Sequence, residues 1–404
     1  MEAAAQKKGL IFSVAVAALG YFVDLYDIVI FGVVRVTSLN DLGITGAANT
    51  DWGITLLNLQ MIGMLVGGLT WGVIGDKLGR RFALLACIAL YSVANVLSGL
   101  VVNVEQYAAL RFIAGFGLAG ELGAGITLVS EILPKNKRGY GATVISFLGL
   151  CGALFASYVG ADFHWRTAYI IGGVMGLVVL AARIYGLRES EMFSEHKGQA
   201  GQGDLRILLK RGPLLKFVAV IAVGVPIWYV SALFVTLAPE FGKALGLNEP
   251  LKVSDVLRWQ AIGLAIGSGC SGLLSEWLQS RKRIIYFCCA AMAALTVVLM
   301  QMKTPQGFAH LMFVMGLAQG YWTVFIIMSA EQFGTNIRAT VSTSAPNFVR
   351  AMTVPITLSV KALSAVLGWV GATLAVGGVV FGLAFVALWW LAETYGKDLN
   401  YKEA

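Results

Sequence analysis

Long apolar runs, broken by short polar junctions, set the rhythm of this chain. Runs of spanning length fall near residues 10–35, 53–75, 82–103, 106–130, 140–161, 166–187, 214–241, 255–278, 283–302, 307–331, 339–366 and 369–392. A helix needs roughly 20 apolar residues to cross a bilayer, so the pattern predicts an all-α membrane protein with twelve transmembrane helices. Junctions as short as Asn103–Gln106 force antiparallel neighbours. The one long polar stretch, Arg188–Arg211, mixes charges with the Gly-rich piece Gly198–Gly203 and reads as a flexible cytoplasmic linker. The expected organisation is a six-helix bundle over 1–187, a linker over 188–213 and a second six-helix bundle over 214–404.

Composition agrees with that reading. Of the 404 residues, 58% are hydrophobic and only 13% charged, against about 25% charged in soluble proteins. The 48 glycines suit close helix packing in lipid. The net charge of +8 reflects a cytoplasmic loop bias and gives no reason to invoke nucleic acid. With the N-terminus inside, the cytoplasmic segments hold most of the Lys and Arg, among them Lys77, Arg81, Lys135, Arg183, Arg188, Arg211, Arg281 and Lys397. The outer loops hold few: Arg166, Lys243, Lys252 and Lys303. Both termini are therefore expected in the cytoplasm. Lys7 and Lys8 precede a run too long for a signal sequence, which is read as the first span. The five cysteines lie inside hydrophobic runs as packing residues, and no metal-ligand spacing occurs.

The halves echo each other at an offset of about 200. Ser130-Glu131 with Arg138 recurs as Ala330-Glu331 with Arg338, and Gly72, Asp76 and Arg80-Arg81 recur as Gly272, Glu276 and Arg281-Lys282. Leu187-Arg188-Glu189-Ser190 recurs as Leu391-Ala392-Glu393-Thr394. Repeated six-helix halves point to a secondary transporter.

Charges inside the spans carry the candidate chemistry. Asp24 and Asp27 lie in the middle of the first span, three residues apart and so on one helical face with Tyr21. An acid at that depth is a functional hypothesis by default, the alternative being a structural acid against a basic partner. Glu121 lies near the middle of the fourth span, with a proton-carrying and a structural reading both open. Arg350 sits mid-way along the eleventh span with Asn347 one turn earlier, and Pro346 and Pro355 flank both. Its forked guanidinium suits a carboxylate or phosphate of a substrate, or a structural counter-charge. Arg111 is nearer the outer surface and serves a salt bridge or a substrate. Trp228, Tyr229, Gln319 and Tyr321 add aromatic and polar groups of the kind that line ligand sites or anchor spans at interfaces.

Gly72-Val-Ile-Gly-Asp76-Lys-Leu-Gly79-Arg80-Arg81 resembles the loop between the second and third spans of the major facilitator superfamily. Glu131 with Arg138, and Glu331 with Arg338, are similar to that family's other cytoplasmic charge pairs. Gly20–Gly32 resembles the first span of metabolite:proton symporters and of the sugar-porter-like transporters around them. Arg111–Gly117 resembles the superfamily's fourth-span Arg and Gly pattern, and Ala119–Ala124 is similar to the Gly-Gly-Glu motif of the metabolite symporters, with Ala119 replacing one Gly. Glu393-Thr394-Tyr-Gly396-Lys397 resembles the carboxyl end of sugar porters, with Ala392 where a Pro is expected. The resemblance implies two pseudo-symmetric bundles with a central cavity lined by the first and fourth spans. Gly72, Asp76, Gly79, Arg80, Arg81, Glu131, Arg138, Glu331 and Arg338 would form the cytoplasmic gate.

The expected function is proton-coupled secondary transport of a small polar organic metabolite, anionic or zwitterionic, by alternating access. Asp24, Asp27 and Glu121 would handle the proton. Arg350, Asn347, Tyr21, Trp228, Tyr229, Gln319, Tyr321 and Arg111 would meet the substrate. Export of an organic cation or drug, and a nutrient sensor without flux, are the rival readings. No enzyme chemistry, cofactor, metal or nucleotide loop is expected. The partners are the substrate, protons and lipid, the chain acting as a monomer in a bacterial inner membrane.

Overall fold

The computed structural model describes residues 2–132, 138–186, 208–334 and 337–397, with side chains omitted for 2–14, 76, 80, 122–132, 138–146, 186 and 339. The chain forms two compact units, Met1–Gly203 and Asp204–Ala404. The expected linker lies almost wholly outside the described residues, and Asp76, Arg80, Glu131 and Arg138 have no described side chains.

Among its described residues, unit 1 has six helices: α1 (Glu2–Asp41), α2 (Ala47–Leu78), α3 (Arg80–Ser98), α4 (Val104–Ile132), α5 (Arg138–Asp162) and α6 (Trp165–Gly186). Each overlaps an expected apolar run; α1 and α2 extend beyond theirs at both ends, whereas α3 stops at Ser98, five residues short of the expected end. Gly79, at φ 103°, makes the turn between α2 and α3, a backbone region that residues with a Cβ rarely adopt. Helix α1 packs on α5 and α6, α2 on α4, and α3 on both α4 and α6.

Unit 2 comprises α7 (Arg211–Val230), a π-helical turn (Ser231–Thr236), α8 (Ala238–Ala244), α9 (Val253–Trp277), α10 (Arg281–Leu299), α11 (Pro305–Gln319), α12 (Trp322–Glu331), α13 (Arg338–Ala351) and α14 (Thr353–Trp390). Several expected spans are therefore segmented. The seventh passes through the π turn just after Pro226, whose ring cannot donate a backbone hydrogen bond. The tenth breaks at Gly320-Tyr321 and the eleventh at Met352. The eleventh and twelfth join end to end at Gly368, whose φ of 66° interrupts an otherwise helical path. Ser280 and Thr304 cap α10 and α11, accepting the backbone N–H of Arg283 at 3.2 Å and Gly307 at 3.1 Å.

Among the described residues, eight helical stretches are long and apolar enough to cross a membrane, and one of these, Thr340–Trp390, is 51 residues and holds two spans. Helices α4, α5 and α9 complete the twelve.

The same seam recurs in both units. In unit 1, a Cβ added at Gly63 or Gly67 of α2 would run into the carbonyl oxygen of Phe112 or Phe116 of α4, and one at Gly115 into that of Gln60. In unit 2, Gly263 and Gly267 of α9 lie in that way against Phe313 and Leu317 of α11, and Gly316 against Gln260. Trp71 Nε1 donates to Phe116 O at 2.7 Å across the first seam, and Ser271 Oγ to Gly320 O at 2.8 Å across the second. The internal repeat thus reaches down to which glycine meets which carbonyl.

Candidate functional site

Unit 1 carries a two-tiered polar cluster in its interior. The first tier gathers Asp24 and Asp27 of α1, Asn95 and Ser98 of α3, Arg111 and Tyr107 of α4 and Tyr169 of α6, all buried. Arg111 Nη2 donates to Asn95 Oδ1 at 2.9 Å and to Ser98 Oγ at 2.8 Å. Its guanidinium carbon lies 4.6 Å from the ring centre of Tyr169 and 5.7 Å from that of Tyr107. The two phenols are joined at 2.6 Å, and Tyr107 reaches Ser38 at 3.4 Å. Arg111, Asp24 and Asn95 are the groups that act electrostatically on Asp27. Among the described residues, no cation closes a salt bridge on Asp27. Helix α6 approaches closely there, since a Cβ on Gly172 would sit 2.6 Å from Asp27 Oδ1. Tyr26 leaves the tier and donates to Ala168 O at 2.8 Å.

Glu121 begins the second tier, ten residues and so ~15 Å further along α4. Arg183 of α6 grips it with both guanidinium nitrogens, Nη1 reaching Oε2 at 2.8 Å and Nη2 pairing with Oε1. Arg183 is fully buried, not a loop cation as the topology reading counted it. Near the end of a span, a buried cation and a topogenic one look alike in sequence. Cys87 Sγ lies 3.8 Å from Glu121 Oε2. Tyr91 lies within electrostatic reach of Glu121, Arg183, Asp24 and Asp27 and so links the tiers. Gly20 makes room for the pair, because a Cβ there would strike both Arg183 and Glu121.

Sequence reasoning singled out the acids and Arg111 but missed Arg183, Asn95 and Ser98. The last two had a usable signal. Cys87, Tyr91, Asn95 and Ser98 follow one another at helical spacing and form one face of α3. Tyr21, buried on α1, abuts Gly149 of α5.

Unit 2 brings together some of its expected residues and separates others. Arg350 is buried on α13, with Asn347 Oδ1 at 3.4 Å and the ring of Trp228 at 5.6 Å. Among the described residues, no carboxylate pairs with it. Gln319 belongs to a different group: its Nε2 donates to Ile227 O at 2.9 Å and to Ser231 Oγ at 3.2 Å, while its Oε1 accepts from Gln260 at 2.7 Å. That group ties α7, α9 and α11 together where the π turn begins. Tyr229 and Tyr321 lie apart from both, each giving its hydroxyl to a backbone carbonyl at 2.8 Å, Thr373 O and Val223 O respectively.

The residues expected at the cytoplasmic gate, where their side chains are described, divide likewise. Arg81 donates to Ile184 O at 3.1 Å. Glu331 meets Arg281 Nε at 3.6 Å and accepts from Thr394 at 2.6 Å, while Arg281 also bonds Glu276 at 2.7 Å. Arg338 Nε donates to Ala330 O at 3.2 Å and Phe333 O at 3.1 Å. Glu393 accepts from Ser280 Oγ and from the backbone N–H groups of Arg281, Lys282 and Thr394. Partial burial pushes its carboxyl up, but the Ser280 and backbone bonds outweigh that and hold it below its usual range.

Known proteins give this arrangement a context. Residues 17–350 match the family described as Major Facilitator Superfamily. A niacin transporter of Acinetobacter baylyi is 32% identical over 168 residues, covering 41% of this chain and 37% of that protein. The match thus spans well under half the length of that relative. A putative metabolite transport protein of Haemophilus influenzae is 27% identical over 358 residues, covering 83% of this chain and 84% of that one. A solved D-xylose–proton symporter superposes with a TM-score of 0.72 at 20% identity, covering 96% of this chain and all of that one, a likeness of fold.

Proposed function

The chain belongs to the Major Facilitator Superfamily, and on that footing we propose that it is a proton-coupled carrier of a small, polar, anionic or zwitterionic organic metabolite. It is a multi-pass membrane transporter and not an enzyme. The finer reading rests on one observation: a carboxylate pair, Asp24 and Asp27, wholly buried beside a buried arginine. A carboxyl in low dielectric, near another acid and a buried cation, is suited to load and unload a proton. Asp27 or Asp24 takes that role first, and Glu121, gripped by Arg183, comes third. Carriage follows alternating access, with the loaded protein opening to one side of the membrane at a time.

Arg350 supports an anionic cargo. It is a buried cation that meets an amide oxygen and an indole face, and among the described residues no carboxylate pairs with it. A planar guanidinium in that setting favours a carboxylate and opposes an organic cation. Both termini and the linker are assigned to the cytoplasm on the distribution of Lys and Arg.

The test begins with ligand-induced thermal stabilisation of purified protein across a panel of carboxylic acids, amino acids, sugars and cations, niacin included. A ligand that binds the folded state raises its stability by about 2.7 kcal/mol at a hundred times its Kd. The hit is then followed in proteoliposomes with and without an imposed pH gradient. Asp27→Asn or Asp24→Asn is expected to retain exchange and lose accumulation. Wild-type uptake that ignores the pH gradient, with every acid variant still concentrating substrate, overturns proton coupling through these groups.

A further inference from the structure

A buried arginine paired with a titrating carboxylate faces a difficulty of its own. Each time the acid takes a proton, the guanidinium loses its counter-charge, and it cannot shed its own proton in response. Arg111 is fully buried, so water does not make up the loss.

The surroundings of Arg111 meet that difficulty. Its Nη2 is already shared by two neutral acceptors on one face of α3, Asn95 Oδ1 and Ser98 Oγ. Its planar face lies over Tyr169 and Tyr107. Arginine only donates, so Asn95 must present its oxygen to Arg111. The Asn95 amide nitrogen then points the other way and approaches the Asp27 carboxylate without closing a hydrogen bond. Arg111 Nε and Nη1, and both Asp27 oxygens, likewise make no hydrogen bond. Unspent donors and unspent acceptors, all buried, thus lie within electrostatic reach of each other, while the hydrogen bonds of Arg111 go to the neutral side.

We propose that Asn95 and Ser98 form an uncharged seat for the Arg111 guanidinium, which allows Asp27 to be protonated without stranding a buried cation. They are positioning residues: they act on the proton site through Arg111. The inference rests on the reading of Asp27 as the proton site. The other groups that bear on this space are Asp24 and Tyr26 of α1, Tyr91 of α3, Tyr107 of α4 and Tyr169 of α6. Arg35 acts on it through Tyr107. A weaker seat leaves Arg111 more dependent on the ionised carboxylate. Asp27 then holds on to its charge, and a lower pH is needed to protonate it. A charged seat does the reverse.

The experiment needs no transported substrate. Infrared difference spectra of the purified, reconstituted protein are recorded across a pH titration, following the carbonyl stretch of protonated carboxyl groups. Wild type is compared with Asp27→Asn, Ser98→Ala, Ser98→Thr and Asn95→Asp, with the double variant Asp27→Asn/Asn95→Asp identifying the introduced carboxyl's own band. In wild type, one titrating band is expected that Asp27→Asn removes. Its midpoint should fall by about one pH unit in Ser98→Ala, which loses one hydrogen bond to a charged group. It should stay near wild type in Ser98→Thr, which keeps the hydroxyl, and rise in Asn95→Asp. A titrating Asp27 band whose midpoint is unchanged or raised in Ser98→Ala overturns the seat while leaving Asp27 as the proton site. Absence of any band that Asp27→Asn removes overturns the Asp27 reading itself.

Discussion

Separating Glu121 from Arg183 should cost unit 1 much of its stability. With both side chains buried and one contact at 2.8 Å, their attraction is about 6 kcal/mol at an effective dielectric of about 20, before desolvation is counted. Removing one partner of a buried pair leaves the other charge uncompensated and typically costs ~3–5 kcal/mol. For a unit of about 200 residues, each kcal/mol moves the unfolding midpoint by roughly 2–4 °C. Glu121→Gln and Arg183→Met are therefore each expected to lower Tm by about 6–20 °C in detergent, followed by intrinsic fluorescence. The double change Glu121→Gln/Arg183→Met removes both charges and should recover most of that loss. Gly20→Ala probes the same pair without touching it, since the added methyl displaces both partners, and it should fall in the same range. Single variants within about 2 °C of wild type, or losses that simply add in the double variant, would refute a stabilising pair.

Further outcomes are expected elsewhere. Arg350→Ala should abolish thermal stabilisation by any carboxylate ligand found in the panel screen, and Arg350→Lys should weaken it at least tenfold, because an ammonium keeps the charge and loses the fork. Gly263→Leu should destabilise unit 2 and Gly63→Leu unit 1, as both force backbones apart, and thermal unfolding should show losses in each case. Glu393 has a lowered folded-state pKa, so its contribution is present above the unfolded value and fades as pH falls through the folded one. Glu393→Gln should accordingly lower Tm at pH 7 and make no difference in strongly acidic buffer. Single cysteines at Asn49 and Gln202, in a Cys-free background, should label from opposite sides of the membrane, and same-side labelling counts against the twelve-span topology.

The helical content and the repeat were plain in the sequence because lipid imposes them. Every span must be apolar over a fixed length, and small residues must recur where backbones meet. The acid pair on α1 stood out for the same reason, as a carboxylate in hydrocarbon is an anomaly that needs no partner to be noticed. Arg183 and Arg111 show where such reading stops. Both are cations near span ends, where loop bias, snorkelling and burial all predict the same letter. Which of these applies depends on what α6 or α4 turns toward, a matter of packing between segments distant in sequence. Tyr229 and Tyr321 make a related point: aromatic residues with hydroxyls suit a ligand site, yet both hydroxyls go to carbonyls within unit 2, one near Pro226 and one on α14. The π turn at Ser231 and the break at Gly368 had weak local cues in Pro226 and in glycine, which is too frequent in this chain to mark any one place.

The glycine seams described above also supply a measuring device. Where backbone touches backbone, there is no side chain to change rotamer and little slack for sliding, so α2 and α4 must travel as one piece, as must α9 and α11. Spin labels placed across either seam, at lipid-facing positions, should report one narrow distance whatever ligand, pH or membrane voltage is applied. Any pair whose separation does respond then marks a true moving joint. The duplicated architecture thus carries two internal rulers, one per unit, against which every other distance change in the working transporter can be calibrated.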